Sequence, residues 1–143
     1  MSGNRAVLDS NAIIYASKGL VDSDELLLEN ELYFASIITF IEVYSHEFQS
    51  VDEKRIIDEI LGSIEIVDLD RSIADQAVIY RKNKNKKIKL PDAAILATAK
   101  VLDAALLTDN LTDFQGVDDL VSIVGINYRK FESFGDYAHI YNG

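Results

Sequence analysis

Short apolar runs and stretches of helical periodicity alternate along this chain, and that alternation constrains its fold more than any single motif does. Ala6-Val7-Leu8, Tyr33-Phe34-Ala35, 64–69, Ala105-Leu106-Leu107 and 120–124 have the pattern of short strands. Between them, 11–17, 24–29, 39–48, 52–61, 72–82 and 92–102 have the pattern of helices. Strands separated by helices are joined by crossovers, so they predict βαβ units and a parallel sheet covered on both faces. The stretch 92–102 sharpens this, because it is apolar almost all round and so predicts a buried helix. Its first turn carries Pro91, the only proline of the chain, where a missing N–H costs nothing. Gly62 stands just beyond 52–61 as a stop signal. In such folds, sites lie beyond the carboxyl ends of the strands.

The 143 residues suit one domain, 1–143, and 48% hydrophobic content supplies a core for it. No Gly/Ser- or Pro-rich linker divides the chain, and no internal repeat is visible. The tail 127–143 scatters Tyr128, Phe131, Phe134, Tyr137 and Tyr141 irregularly among polar residues, and its pattern places it in no element. There is no apolar run of spanning length and no visible signal peptide, so a cytoplasmic protein without membrane contact is expected. The absence of cysteine excludes disulfides, thiolate metal sites and a cysteine nucleophile.

The net charge of −10 argues against a nucleic-acid binder, which ordinarily presents a basic surface. Yet Arg81, Lys82, Lys84, Lys86, Lys87 and Lys89 put six of the fourteen basic residues within nine positions. Such a run is either a solvated helix end or a strip that holds a polyanion. It stops just before Asp92, which favours neither reading decisively.

Four acids have recognisable settings. Asp9 closes the first strand and opens Asp9-Ser10-Asn11, all good helix caps. Glu42 belongs to a polar stripe with Thr39, His46 and Gln49 that faces either solvent or a groove. Asp92 suits a helix N-terminus, but it also stands at the rim of a buried helix, where a charge needs a partner. Asp113 follows the turn Thr108-Asp109-Asn110, and turns favour Asp and Asn in any case. Asp68 and Asp70 are a competing pair without a specific pattern around them, and neither His46 nor His139 has the setting of a ligand. If folding gathers the four acids, like charges accumulate that cannot all stay ionised without a cation. Oxygen ligands with no cysteine and two histidines point to a hard ion, Mg²⁺ or Mn²⁺, rather than zinc.

In order and spacing these segments resemble the PIN-domain ribonucleases, in particular the toxin subunits of VapBC-type toxin–antitoxin pairs. The segments are Val7-Leu8-Asp9-Ser10-Asn11, Ser36-Ile37-Ile38-Thr39-Phe40-Ile41-Glu42-Val43, Leu90-Pro91-Asp92-Ala93-Ala94-Ile95-Leu96-Ala97-Thr98-Ala99 and Leu106-Leu107-Thr108-Asp109-Asn110-Leu111-Thr112-Asp113-Phe114. They span about 6–116. The resemblance implies a PIN-like three-layer α/β/α sandwich around a central, mainly parallel twisted sheet. It carries Asp9, Glu42 and Asp92 onto the first three acids of the family site. The fourth falls on Asp113, with Asn110 and Asp109 as the other possible positions, and Asn11 and Thr108 support the site by hydrogen bonds.

The same resemblance implies an endoribonuclease that uses Mg²⁺ or Mn²⁺, one ion or two, to activate water for in-line attack on phosphorus. The products would carry a 5′-phosphate and a 3′-hydroxyl. It further implies an RNA substrate, a homodimer and a cognate antitoxin. Two other readings compete. One is a phosphatase with Asp9 as nucleophile, although such enzymes have a second acid where this chain has Asn11. The other is a PIN-fold module that binds RNA or protein without catalysis.

Overall fold

The computed structural model describes residues 4–27 and 29–126. The tail 127–143 lies outside the described residues. Five strands form one parallel sheet: β1 (Arg5–Leu8), β2 (Leu32–Ser36), β3 (Glu65–Val67), β4 (Ala105–Thr108) and β5 (Ile123–Gly125). Their order across the sheet is β3-β2-β1-β4-β5, and every neighbouring pair is parallel. The helices are α1 (Ser10–Ser17), α2 (Ser23–Leu26), α3 (Ile37–Tyr44), α4 (Val51–Gly62), α5 (Arg71–Arg81), α6 (Leu90–Val101) and α7 (Leu111–Phe114).

The alternation of side chains along β1 shows how the layers arise. Val7 points into a core shared with Ile73, Ala77 and Tyr80 of α5 and Ile95, Leu96 and Ala99 of α6. Ala6 and Leu8 point to the opposite face, into a core with Ala12, Ile13 and Ala16 of α1 and Ile57, Ile60 and Leu61 of α4. A period of two along a strand buried on both faces gives the three-layer α/β/α sandwich the sequence predicts. The uniform apolarity of α6 has a direct cause. Its neighbours are β1, β2 and β4 beneath, and α3, α5 and α7 around it. Ala93, Ala97 and Ala99, all fully buried, let those elements approach closely.

Several element ends differ from the sequence pattern, each for a local reason. The helix expected over 39–48 begins at Ile37, because the Ser36 hydroxyl accepts the Ile38 N–H at 3.0 Å, and it stops at Tyr44. His46 and Gln49 therefore leave the proposed stripe, while Thr39 is buried at 0% exposure and Glu42 is exposed. The helix expected over 24–29 is the single turn Ser23–Leu26. Gly62 is the last residue of α4 rather than a stop beyond it; Ser63 caps the helix and its hydroxyl donates to the Ile60 carbonyl at 2.8 Å. The strand expected over 64–69 shortens to an edge strand of three residues. That over 120–124 moves to Ile123–Gly125, since Asp118 accepts the Leu120 N–H and turns the chain there. Asp70 is the N-cap of α5, accepting the Ile73 N–H at 2.9 Å, which accounts for one member of the competing acid pair structurally.

Among the described residues no helix is long and apolar enough to cross a membrane.

Candidate active site

β1 connects toward β2 on one side of the sheet and is flanked by β4 on the other. This reversal of strand order opens a crevice at the carboxyl ends, where parallel sheets place their ligands. Asp9 is the first residue after β1 and the N-cap of α1. It is 5% exposed, and both carboxylate oxygens are engaged: Oδ1 accepts the Ser10 N–H and Oδ2 the Thr108 hydroxyl, each at 2.8 Å. The Asp9 N–H in turn donates to the Leu107 carbonyl at 2.9 Å, which fixes the residue against β4.

Burial pushes the Asp9 carboxyl up to about 6 from 3.8, against the pull of the Thr108 and Ser10 hydrogen bonds; the charges of Asp92 and Glu42 push the same way. The Asp92 carboxyl, half-buried in the first turn of α6, is also raised. Its burial comes first, followed by the charges of Asp113 and Glu42, with Lys89 opposing. Asp92 thus lies within electrostatic reach of Asp9, Glu42 and Asp113, and Asp9 within reach of Glu42.

Each is held by a different neighbour. Glu42 reaches from α3 to the Ser10 hydroxyl, which donates to Oε1 at 2.5 Å. Asn110 Nδ2 donates to Asp113 Oδ2 at 2.7 Å, and the Asn110 N–H donates to Thr108 Oγ1 at 2.9 Å. One hydroxyl, that of Thr108, therefore links the Asp9 end of the site to the Asn110–Asp113 turn. Asp109 Oδ1 is buried without a hydrogen-bond partner among the described residues. Asn11 is half-buried and makes no side-chain hydrogen bond among them. Ser10, the residue between the two candidates, takes the contact with Glu42 instead. Nothing in the spacing of Asp9-Ser10-Asn11 says which polar side chain turns toward α3.

The basic run divides in space. Arg81, Lys87 and Lys89 line a cavity of about 330 Å³ together with Ile88, Asp92 and Asp113. Lys86 is spent on the protein itself, donating to the Thr112 carbonyl at 2.5 Å, while Lys82 and Lys84 are exposed away from the cavity.

Among the described residues no three carboxylate or imidazole groups stand close enough to a common point to cage an ion unaided. The donor set nonetheless suits Mg²⁺, which keeps several waters and takes one or two carboxylates rather than an all-protein cage. Carboxyls raised first by burial and then by neighbouring carboxylates are what a cation would relieve.

Parallel-sheet topology and a crevice of mutually repelling carboxylates define an α/β protein with an acidic site at the switch point of its sheet. The chain belongs to the PIN-domain family, whose model matches residues 6–120. It is similar to a chain of a toxin–antitoxin complex from Klebsiella pneumoniae, with 30% identity, a TM-score of 0.63, and coverage of 82% of this chain and 99% of that one. VapBC2 from Rickettsia felis, bound to a DNA fragment from its promoter, has the same fold, with a TM-score of 0.72, 23% identity, and 86% and 99% coverage. So does VapBC-5 from Mycobacterium tuberculosis, at a TM-score of 0.61, 20% identity, and 87% and 98% coverage. No curated protein sequence matches the chain.

Proposed function

We propose that this protein is a divalent-metal-dependent endoribonuclease and the toxin of a toxin–antitoxin pair. The observation that supports the reading best is that, in a PIN domain, Asp9 feels the charges of Asp92 and Glu42, and Asp92 those of Glu42 and Asp113. The similarity to a chain of a toxin–antitoxin complex, over 82% of this chain and 99% of that one, supports the toxin role and an antitoxin partner; a homodimer and a cytoplasmic setting are part of the same proposal.

Asp9 and Asp92 would hold Mg²⁺ or Mn²⁺ directly, with Glu42 and Asp113 acting through water. When bound, the ion supplies Lewis acidity toward a phosphodiester oxygen and toward water. The chain does the rest. Thr108 and the Ser10 N–H keep the Asp9 carboxylate ionised and oriented. Ser10 holds Glu42 at the opening of the site, where its carboxylate can take a proton from the attacking water. Asn110 fixes Asp113 beside Asp92. Water oxygen bonds to phosphorus, the P–O3′ bond breaks, and the 3′-oxygen takes up a proton.

Burial of Asp9 weighs against the phosphatase reading. At 5% exposure, with Oδ1 accepting the Ser10 N–H and Oδ2 the Thr108 hydroxyl, neither carboxylate oxygen stands free as a nucleophile. The test is incubation of the purified chain and its Asp92→Asn variant with mixed RNAs, with Mg²⁺, Mn²⁺ or EDTA. Cleavage by wild type alone, abolished by EDTA and leaving 5′-phosphates, is the expected result. Equal cleavage by both proteins would mean a contaminant. No cleavage, together with no metal-induced rise in melting temperature, would favour the binding-module reading.

A further inference from the structure

The cavity beside Asp92 and Asp113 is distinctive in a chain of net charge −10, because three cations face two carboxylates across it. Arg81, Lys87 and Lys89 form no ion pair within 4 Å among the described residues, although Lys89 acts at longer range on the Asp92 carboxylate. The loop that carries them is nevertheless fixed at several points. Arg81 Nη1 donates to the Ile88 carbonyl at 2.7 Å, which leaves the remaining guanidinium N–H groups free to point elsewhere. Ile88 is 6% exposed and anchors the loop in the core. Asn83 Oδ1 accepts the N–H groups of Asn85 and Lys86 at 2.9 and 3.2 Å, and Lys86 ties the loop to α7 through Thr112. A pre-ordered guanidinium loses little freedom on binding, which favours an oxyanion ligand over diffuse attraction. Among the described residues the lining contains no aromatic ring on which a base could stack, so the group it complements is a phosphate.

We propose that this cavity is a phosphate subsite for the RNA backbone next to the bond being cut, with Arg81 and Lys87 as its contacts and Lys86 as the strap that holds their loop. The proposal rests on the ribonuclease reading for its substrate. It separates five of the six basic residues of the run into contacts, strap and bystanders, with Lys89 left beside Asp92, and it makes the contact independent of base sequence. The carboxylate wall repels a bare phosphate, so occupancy should depend on a divalent cation being present.

The test uses the full chain and three variants: Lys87→Gln, the double variant R81Q/K87Q, and the control K82Q/K84Q. Among the described residues Lys87 makes no hydrogen bond, so its variant remains informative if loss of Arg81 disturbs the loop. Binding of an oligoribonucleotide whose bridging 3′-oxygens are replaced by CH2 groups, so that the P–O3′ bond broken in the reaction is absent, is followed by fluorescence anisotropy at several salt concentrations with Mg²⁺. In parallel, inorganic phosphate is titrated and the Arg81 side-chain N–H is followed by NMR. Lys87→Gln should weaken binding roughly threefold to tenfold and lower the salt slope by about 0.7, the value for one phosphate contact on a single strand. K82Q/K84Q should stay within about twofold by the same reasoning. Equal weakening by K82Q/K84Q, or RNA bound and cut with Lys87→Gln unimpaired, overturns the subsite while leaving the ribonuclease intact. Phosphate shifts at Arg81 in a chain that neither binds nor cuts RNA support an anion site and sink the ribonuclease reading. Neither phosphate nor RNA binding sinks both.

Discussion

The Thr108 hydroxyl donates to Asp9 Oδ2 at 2.8 Å across 99 positions of sequence, and the same oxygen accepts the Asn110 N–H. Thr108 is fully buried at the end of β4, so this bond cannot exchange with solvent. It is one of the hydrogen bonds that pull the Asp9 carboxyl down against its burial. Thr108→Val keeps the shape and removes both functions. We expect a loss of activity on the order of 10–100-fold, typical of residues that orient a metal ligand. The rising limb of the pH–rate profile should move to higher pH, because Asp9 becomes harder to ionise. An unmoved limb with lowered activity would show that Thr108 acts only through packing.

Asp9→Asn isolates the cost of that buried charge. The folded carboxyl sits at about 6 against 3.8 in the ordinary state. A raised folded value means stability is intact below 3.8 and is lost as pH rises through about 6. Without metal, the group should therefore cost wild type on the order of 2–3 kcal/mol by pH 8. The difference in unfolding free energy between wild type and Asp9→Asn, measured by urea denaturation at pH 4 and pH 8, cancels most other titrations. It should swing in favour of the variant at pH 8, while Mg²⁺ should raise the melting temperature of wild type only. A difference that stays flat with pH removes this account of Asp9.

Ser10 and Asn110 are positioning residues in this description, since each holds a carboxylate and neither is placed on the metal. Glu42 is exposed, so losing the Ser10 bond should cost less than about 1 kcal/mol of stability. Ser10→Ala should nonetheless lower kcat, and Ser10→Thr, which retains a hydroxyl, should restore most of it. The rescue is the deciding measurement: equal kcat in the Ala and Thr variants would mean that the hydroxyl does not orient Glu42.

Much of this was legible because it depends on local patterns. The apolar runs at Ala6-Val7-Leu8 and Ala105-Leu106-Leu107 are strands, and the all-round apolarity of 92–102 reflects a helix enclosed by six other elements. Asp9, Asp92 and Asp113 are singled out at the ends of strands, helices and turns, Glu42 on a polar helix stripe, and the resemblance to the PIN family joins the four into one set. What the sequence could not show were contacts between elements. Ser10 meets Glu42 only because α1 and α3 are packed side by side, and Asn11, equally polar and one position on, turns elsewhere. The six-residue basic run looks uniform as text. Its division depends on where a carbonyl of α7 happens to lie, which captures Lys86 and leaves Lys87 to the cavity.

A last prediction concerns stability away from the site. Tyr80 is 3% exposed in the core between α5 and α6, and its hydroxyl donates to Asp118 Oδ2 at 2.7 Å. Partial burial of Asp118 pushes its carboxyl up, but the Tyr80 hydroxyl, the Leu120 N–H and Lys100 outweigh that and hold it below 3.8. Hydrogen bonds to a charged acceptor contribute about 1.5–3 kcal/mol, so Tyr80→Phe should destabilise by roughly that amount at pH 7. A depressed folded value means the stabilisation is complete above 3.8 and disappears as pH falls through the lower, folded one. The gap between wild type and Tyr80→Phe in denaturant midpoint should therefore hold from pH 8 to pH 5 and narrow below pH 4. A gap that persists undiminished in acid would assign the loss to packing of the ring rather than to the charge on Asp118.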